Sequence, residues 1–372
     1  MTKIPLLDLQ AQYENIKTEI DAAVLGVLRS GRFILGPEGE ALEREIAAFC
    51  GVSHAVGVAS GTDALLLTLR ALGVGAGDEV VTTPFTFFAT AETIAALGAT
   101  PVFADIDPAT LNMDLTGLER YFTPRTKAIV AVHIFGLMPD MERLEAIAAA
   151  HGIPVVEDAA QAVGAARNGK RAGAWGRAGA FSFFPTKNLG AYGDGGMVAT
   201  SDADLADRLR VLRFHGCRVK YYHEEIGCNS RLDEIQAAVL RVKLRYLPAW
   251  NEARRRVADF YAAAFADLAA AGRLILPGSE PGSEPVYHLY VLRTAERERL
   301  AVGLRARGVA SAVYYPVPLH LQKAFAALGH RDGDLPRAER ACREALAIPC
   351  YPELTPAQLE YIAAAARAAL ED

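Results

Sequence analysis

Short apolar runs and longer amphipathic segments alternate through the first 210 residues. HAVGVAS at 54–60, KAIVAVHIF at 127–135 and GMVAT at 196–200 are apolar almost throughout, which is typical of strands buried on both faces of a parallel sheet. TDALLLTLRALG at 62–73 instead repeats its leucines at helical spacing. Strands that alternate with helices predict an α/β fold. Further strands are predicted at 78–84, 101–105, 154–158 and 178–184, and a further helix at 86–97.

The pattern changes in the last third of the chain. The segment SRLDEIQAAVLRVKLRYL places Ser230 and Asp233 at the spacing of a capping box, which predicts that a helix begins there. An alanine-rich helical segment follows from about residue 249, and a Pro/Gly/Ser-rich loop comes after it. This change predicts a large domain at 1–250, including an N-terminal helix, and a smaller domain at 251–372.

Composition narrows the class of protein. Hydrophobic residues make up 51% of the chain and charged residues 22%, as in ordinary soluble proteins. The formal net charge of -5 argues against a general nucleic-acid binder. The five cysteines are scattered, without metal-ligand spacing, so we expect reduced thiols and no metal. The N-terminus lacks signal-peptide features, and the apolar run at 128–138 is too short to cross a membrane. We therefore expect a cytoplasmic protein.

The segment SGTDAL at 60–65 joins a predicted strand to a predicted helix. The free N–H groups of Gly61 and Thr62, together with the neighbouring hydroxyls, form a potential anion site at the start of that helix. The alternative is a plain helix cap. In α/β enzymes, ligands bind at this carboxyl edge of the sheet.

Asp158 ends the otherwise apolar run PVVED at 154–158. A carboxylate buried at the end of a strand needs a partner, because an unpaired buried charge is costly. A cationic ring nitrogen would be a suitable partner. A salt bridge to an arginine is the alternative.

Lys187 is the single lysine of FSFFPTKNLGAYGDGG at 181–196, and it follows a predicted strand. An amine withdrawn from water has a lowered pKa and can form a Schiff base with an aldehyde. The alternative is a solvated surface charge. The segment HGCRVKYYHEEIGCNSR at 215–231 mixes basic and aromatic residues and could bind a nucleotide diphosphate or be an exposed basic loop.

Together these features suit one cofactor. Pyridoxal 5'-phosphate (PLP) needs an amine for its aldehyde, an anion for its ring nitrogen and a cradle for its phosphate. The chain supplies, in order, the turn at 60–62, Asp158 and Lys187.

The chain resembles the DegT/DnrJ-type sugar aminotransferases, which are PLP enzymes of fold type I. The resemblance covers nearly the whole chain. It rests on FILGPEGEALEREIAAFCG, ASGTDALLL, TPFTFFATAETI, EDAAQAVGA, SFFPTKNLGAYGDGG and GCNSRLDEIQAAVL. It implies a large domain with a mostly parallel seven-stranded sheet between helices, and a smaller C-terminal α+β domain.

The resemblance also implies a role for each matching residue. Lys187 forms the Schiff base with PLP, Asp158 pairs with the ring nitrogen, and Gln161 bonds the ring hydroxyl. Phe87 stacks on the ring, and Gly61, Thr62 and Ser182 hold the phosphate. Asn229 reaches the phosphate from a partner subunit, which implies a homodimer with shared active sites. PLP becomes pyridoxamine 5'-phosphate (PMP) when it carries the amino group.

The resemblance implies transamination from L-glutamate to a nucleotide-linked keto sugar. The segment VYYPVPLHLQ at 313–322 resembles members that act on 3-keto sugars, with Tyr314 where those members commonly have His. Tyr315, His320 and Arg231 are the substrate-side candidates, with packing at a domain interface as the alternative for the first two. We expect a 3-keto hexose or hexuronic acid linked to UDP or dTDP.

Three other functions compete with this one. A 4-keto sugar substrate is the nearest alternative. A non-catalytic regulatory protein with the PLP fold is another, which the intact Lys187, Asp158 and Gln161 disfavour. A nucleotide-dependent oxidoreductase is disfavoured because no GxGxxG follows the first strand.

Overall fold

The structure, a computed structural model, describes residues 3–371 of the chain. The strands are β1 (His54–Val58), β2 (Glu79–Thr82), β3 (Thr100–Phe103), β4 (Thr126–Val132), β5 (Val155–Asp158), β6 (Ala166–Arg167), β7 (Lys170–Arg171), β8 (Ala178–Ser182), β9 (Gly196–Thr200), β10 (Cys217–Val219), β11 (Tyr222–His223), β12 (Ser283–Glu284), β13 (Tyr290–Arg293) and β14 (Ala345–Ile348). The α-helices are α1 (Leu9–Ser30), α2 (Pro37–Cys50), α3 (Gly61–Ala71), α4 (Ala89–Ala96), α5 (Met141–Ala150), α6 (Ala203–Leu212), α7 (Glu234–Ala264), α8 (Ala266–Ala270), α9 (Arg297–Ala306), α10 (Pro336–Glu344) and α11 (Pro356–Glu371).

Seven of these strands form one sheet in the order β1-β9-β8-β5-β4-β2-β3. Strand β9 is antiparallel to both of its neighbours, and the other neighbouring pairs are parallel. Every strand predicted within the first 210 residues lies in this sheet. The predicted α/β fold with a mostly parallel seven-stranded sheet is therefore confirmed.

Apolar side chains are buried on both faces of this sheet. Val81 and Val155 belong to one hydrophobic cluster, which also contains residues of α2, α5 and α7. Their chain neighbours Val80 and Val156 belong to a second cluster, which contains residues of α3 and α6. Because successive residues of a strand face opposite sides, burial of both sides explains why these strands are apolar almost throughout.

The last third of the chain has its own hydrophobic cluster. Strands β13 and β14 pair antiparallel, and their side chains pack with those of α9, α11 and the end of α7. Ile4, near the start of the chain, joins this cluster. Helix α7 continues through residue 250 without a break, so the predicted domain boundary falls inside one helix. The division into two domains stays a prediction.

The predicted capping box at Ser230 is wrong. Helix α7 begins at Glu234, and its N-cap residue is Asp233, whose side chain makes no capping hydrogen bond. The Ser230 hydroxyl instead accepts from the Ala59 N–H at 3.1 Å and donates to Asp63 at 2.6 Å. These bonds tie Ser230 to the start of α3, so its hydroxyl is not free to cap α7.

Within residues 3–371, no helix is long and apolar enough to cross a membrane. The same residues contain no group of His, Cys, Asp and Glu side chains that could hold a metal ion. The five cysteines are free thiols.

Glu157, the residue before Asp158 on β5, anchors the neighbouring loop. Its side chain is fully buried and lies 2.8 Å from His133 Nε2. Its two carboxylate oxygens also accept backbone N–H bonds at 2.7–3.1 Å from Gly173, Trp175 and Gly176. A carboxylate with this many donors fixes the loop that precedes β8 against β5.

We predict that Glu157→Gln lowers the free energy of unfolding by about 2–4 kcal/mol, because the amide replaces an acceptor with a donor that faces backbone N–H groups. Urea unfolding of both proteins measures the change. Glu145→Gln is the matched control, since Glu145 is half-buried and has no hydrogen-bond partner within residues 3–371. Equal stability of the Glu157→Gln protein and the unmodified protein would contradict the prediction.

Candidate active site

A cavity of about 560 Å³ opens at the carboxyl edge of the sheet. Its walls come from loops that follow β1, β2, β5 and β8, and from the segment that follows α9. This is the position at which α/β sheets bind ligands. Eight of the predicted site residues line the cavity, namely Gly61, Thr62, Phe87, Asp158, Gln161, Ser182, Lys187 and Tyr315.

The start of α3 forms one wall. Ser60 is the N-cap residue, and its hydroxyl accepts from the Asp63 N–H at 3.1 Å. The N–H groups of Gly61 and Thr62 have no partner within residues 3–371 and lie at the positive end of the helix dipole. A Cβ at Gly61 would lie 2.5 Å from the Cβ of Ser182, so glycine is what allows Ser182 to approach the helix. The arrangement suits a phosphate.

Asp158 is buried, with 6% of its surface exposed. Its Oδ2 accepts from the Thr90 hydroxyl at 2.7 Å, and its Oδ1 makes a longer contact of 3.3 Å with the Ala160 N–H. Burial raises the pKa of Asp158, opposed by these two bonds and by the charge of Lys187. The carboxylate has no salt bridge within residues 3–371, so a cation in the cavity would stabilise its charged form.

Lys187 is half-buried, and its amine opens on the same cavity. The backbone N–H of Lys187 donates to the Phe184 carbonyl at 2.8 Å, which fixes the turn. Within residues 3–371, the Nζ atom has no hydrogen-bond or ion-pair partner. Burial lowers the pKa of the amine to about 8, although the charge of Asp158 opposes the shift. The neutral, nucleophilic form of the Lys187 amine is therefore more populated near neutral pH than that of a solvated lysine.

Gln161, Tyr315 and Phe87 form the wall beside these charged groups. Gln161 Oε1 accepts from the Phe135 N–H at 2.7 Å, and its Nε2 donates to the Tyr315 hydroxyl at 2.9 Å. Burial raises the pKa of Tyr315, so its hydroxyl stays protonated. The Phe87 ring lies 6.5 Å from that of Tyr315 and is 60% exposed, which leaves its face free to stack on a planar ligand.

Three predicted site residues lie outside the cavity. His320 is buried 3.1 Å from Glu339 and packs beside Phe103, so the geometry favours the packing alternative over contact with a substrate. Asn229 is exposed and pairs with Phe214 in an isolated bridge. Arg231 has its guanidinium 5.7 Å from the Phe214 ring. These positions give none of the three a contact with this chain's own cavity.

The basic segment at 215–231 also lies outside the cavity. It forms the hairpin of β10 and β11, from which Tyr221 and Tyr222 project into solvent. Arg218 pairs with Asp207 and Glu224. The binding of a nucleotide diphosphate by the segment 215–231 stays a prediction.

Sequence reasoning missed Thr90. Its hydroxyl donates to Asp158 and therefore accepts from Thr86, whose oxygen is 3.1 Å away. The contact between Thr86 and Thr90 could have been predicted from the sequence. The two residues are four apart in the segment 86–97, which the pattern predicts to be helical, and residues at that spacing are neighbours on a helix.

Sequence reasoning also missed His288, which lines the cavity. The Asn188 Nδ2 donates to Asn251 Oδ1 at 2.9 Å and to the Val286 carbonyl at 3.0 Å. The Asn188 Oδ1 must therefore accept from His288 Nδ1, 3.2 Å away. Burial, and then the charge of Lys187, lower the pKa of His288 well below its usual value. The ring is neutral, and its Nε2 is an acceptor on the cavity wall.

The residues of this cavity fit PLP. The free N–H groups of Gly61 and Thr62 match a phosphate, and the unpaired Asp158 matches a protonated ring nitrogen. The free amine of Lys187 matches an aldehyde. Aromatic side chains on the wall match a planar ring.

On a mostly parallel seven-stranded sheet, this set of groups defines the class of PLP enzymes of fold type I. The chain belongs to the DegT/DnrJ/EryC1/StrS aminotransferase family, whose sequence profile matches residues 14–367.

Curated relatives cover nearly the full chain. A "pleiotropic regulatory protein" of Geobacillus stearothermophilus is 51% identical over 96% of this chain and 96% of its own. A UDP-N-acetyl-3-dehydro-alpha-D-glucosamine 3-aminotransferase of Acidithiobacillus ferrooxidans is 47% identical over 99% and 98%. A dTDP-3-amino-3,4,6-trideoxy-alpha-D-glucose transaminase of Streptomyces venezuelae is 48% identical over 95% and 92%.

Solved structures agree with the fold over the whole chain. The crystal structure of Streptomyces venezuelae DesV in complex with a ketimine intermediate has a TM-score of 0.96 and 46% identity, covering 100% of both chains. The structure of NtdA from Bacillus subtilis with bound cofactor PMP has a TM-score of 0.93 and 30% identity, covering 100% of this chain and 86% of its own.

We predict that Lys187 in the cofactor-free protein titrates at about pH 8, because burial lowers its pKa. Asp158→Asn should lower this pKa further, since the negative charge that favours the protonated amine is removed. Competitive acetylation across a pH series, read by mass spectrometry of the Lys187 peptide, measures both values. Exposed Lys170 is the internal control. A Lys187 pKa at the ordinary value of a lysine side chain would contradict the prediction.

Proposed function

We propose that this protein is a PLP-dependent aminotransferase that moves an amino group from L-glutamate to the 3-keto group of a nucleotide-linked sugar. The observation behind the proposal is the unpartnered amine of Lys187, which shares one cavity with the buried Asp158 carboxylate and the anion site of α3. Two relatives named for position 3 of UDP- and dTDP-linked sugars support the substrate class.

Different residues of the chain would have different roles in the reaction. Bound PLP supplies an electron sink for negative charge on the carbon next to nitrogen. Asp158 keeps a proton on the ring nitrogen, because its carboxylate is buried without another cation paired to it. Lys187 moves the proton between the substrate carbon and the cofactor carbon, since it is the free amine of the cavity. Gly61, Thr62 and Ser182 hold the phosphate.

The sugar would enter on the side of Tyr315. Its hydroxyl is held by Gln161, which fixes its direction within the cavity. Tyr314 also lines the cavity, at the place where the sequence departs from the common His. We propose a UDP- or dTDP-linked hexose or hexuronic acid as the substrate. The free cysteines suit a reducing compartment, and we propose a cytoplasmic location.

We further propose a homodimer with shared active sites. Asn229 is exposed and outside its own cavity, as expected of a residue that serves a partner subunit. Apolar side chains are exposed on α1, on the segment after it and on the hairpin of β10 and β11, and a second copy could bury them. They are Leu25, Leu28, Phe33, Ile34, Leu35, Val219, Tyr221, Tyr222 and Ile226.

A regulatory function without catalysis is the second candidate, because one relative is named as a regulatory protein. The intact Lys187, Asp158 and Gln161 favour catalysis, since a protein that did not use PLP chemistry would not need a buried amine beside a buried carboxylate.

We predict that L-glutamate converts the PLP form of the protein to the PMP form, and that a 3-keto UDP- or dTDP-sugar returns it to the PLP form. Absorption spectra follow both half-reactions. Lys187→Ala should abolish them, because the covalent link and the proton carrier are lost. Return by 4-keto sugars alone would support the alternative substrate. A protein that responds to no amino donor would contradict the aminotransferase function.

We predict that a mixture of Lys187→Ala and Asn229→Ala subunits regains activity that neither variant has alone. In a mixed dimer, one site would combine an intact Lys187 with an intact Asn229, whereas the other would lack both. Steady-state rates after subunit exchange measure the recovery. Mixtures that stay as inactive as the separate variants would contradict the sharing of sites.

A further inference from the structure

Helix α7 runs beside the loop that contains Lys187. We call residues 185–195, between β8 and β9, the lysine loop. The loop folds back towards the end of β8, since the Ala191 N–H donates to the Phe183 carbonyl at 2.8 Å. A Cβ at Gly190 would lie 2.3 Å from the Pro185 carbonyl oxygen, so only glycine fits there.

Three side chains of α7 hold successive points of the lysine loop. We call Gln236, Lys243 and Asn251 the anchor row. Gln236 accepts from the Tyr192 N–H at 2.8 Å, and the Lys243 amine donates to the Gly190 carbonyl at 2.8 Å. Asn251 accepts from the Asn188 side chain at 2.9 Å.

The anchor row follows the geometry of the helix. Its members are seven and eight residues apart (243 − 236 and 251 − 243), which is about two helical turns each, so they share one face. The loop residues that they hold, 192, 190 and 188, alternate along the loop and run in the opposite direction. The last of the three, Asn188, directly follows Lys187.

Lys243 is the member of the anchor row whose burial carries the largest desolvation cost. Its side chain is fully buried, which is rare for lysine, and its amine lies 4.0 Å from the centre of the Tyr192 ring. Burial lowers its pKa to about 7, with the charge of Glu353 opposing the shift. Both the charged and the neutral amine carry N–H donors, so the bond to Gly190 does not require either form. An apolar side chain would fill the same space without the cost of desolvation.

We infer that Lys243 is a positioning residue, which holds the lysine loop through the Gly190 carbonyl so that the Lys187 amine meets the reactive carbon of the cofactor. The inference rests on the proposed function, because it concerns how Lys187 reaches PLP. Under this inference, binding of the cofactor has a non-covalent part and a covalent part. The phosphate and the ring of bound PLP would be held by α3, Asp158 and Phe87, whereas the covalent link alone would depend on the position of Lys187.

PLP and PMP separate these parts experimentally, because PMP has no aldehyde and makes no covalent link to Lys187. We predict that Lys243→Met lowers the affinity for PLP about tenfold, as expected for the loss of one buried hydrogen bond, and leaves the affinity for PMP within about twofold. Calorimetric titration of the full-length protein, after removal of its cofactor, measures both. Equal losses for PLP and PMP, or no loss, would overturn the inference.

A second comparison uses Lys187→Ala. In that background, adding Lys243→Met should cause no further loss of PLP affinity, because the link that Lys243 positions is already gone. A further loss would overturn the inference. If the unmodified protein and Lys187→Ala bind PLP equally, the proposed function itself fails, which is a separate result.

Two more variants complete the test. Lys170→Met is the matched control, because Lys170 is an exposed lysine 4.2 Å from the Trp175 ring and outside the cavity. It should leave both affinities unchanged. Gln236→Leu removes the anchor at Tyr192 without touching a buried charge, and it should lower PLP affinity in the same selective way. A Gln236→Leu protein that binds PLP and PMP as tightly as the unmodified protein does would contradict the role of the anchor row.

Discussion

The end of β5 constrains the whole site, because two adjacent carboxylates there face opposite sides of the sheet. Glu157 is fully buried and satisfied by protein donors. Asp158 receives one short hydrogen bond from Thr90, and its burial disfavours its own charge. The strand alternates sides at each residue, so the same backbone supplies a structural anchor on one face and a carboxylate available to a ligand on the other.

Asp158, the carboxylate without a salt bridge within residues 3–371, organises the cavity. Asp158 and Lys187 influence each other, since each charge stabilises the other while burial opposes both. Neither forms a salt bridge within residues 3–371, so the two charges remain separated. A ligand with a cationic nitrogen at one end and an electrophilic carbon near the other would satisfy both. Without its ligand, such a site lowers the stability of the fold, because two separated charges are desolvated. The packed sheet beneath the site offsets this loss.

Sequence reasoning predicted the sheet and several groups at its carboxyl edge for a physical reason. Strands buried on both faces leave continuous apolar runs, and the residue that ends each run lies at the carboxyl edge. Asp158 and Lys187 could therefore be placed near each other although 29 residues separate them (187 − 158). The roles of Gln161 and Phe87 came from family resemblance, and the structure places both on the cavity wall.

The residues that sequence reasoning missed act through contacts between distant segments. Lys243 reads as one more polar position on an amphipathic helix, and only its packing against Gly190 shows that its amine is buried. His320 is the converse case, because this histidine of the segment 313–322 pairs with Glu339 outside the cavity, which favours the packing alternative. Local patterns predict which residues end a strand. They do not predict which loop a helix lies beside, because that depends on how the whole chain packs.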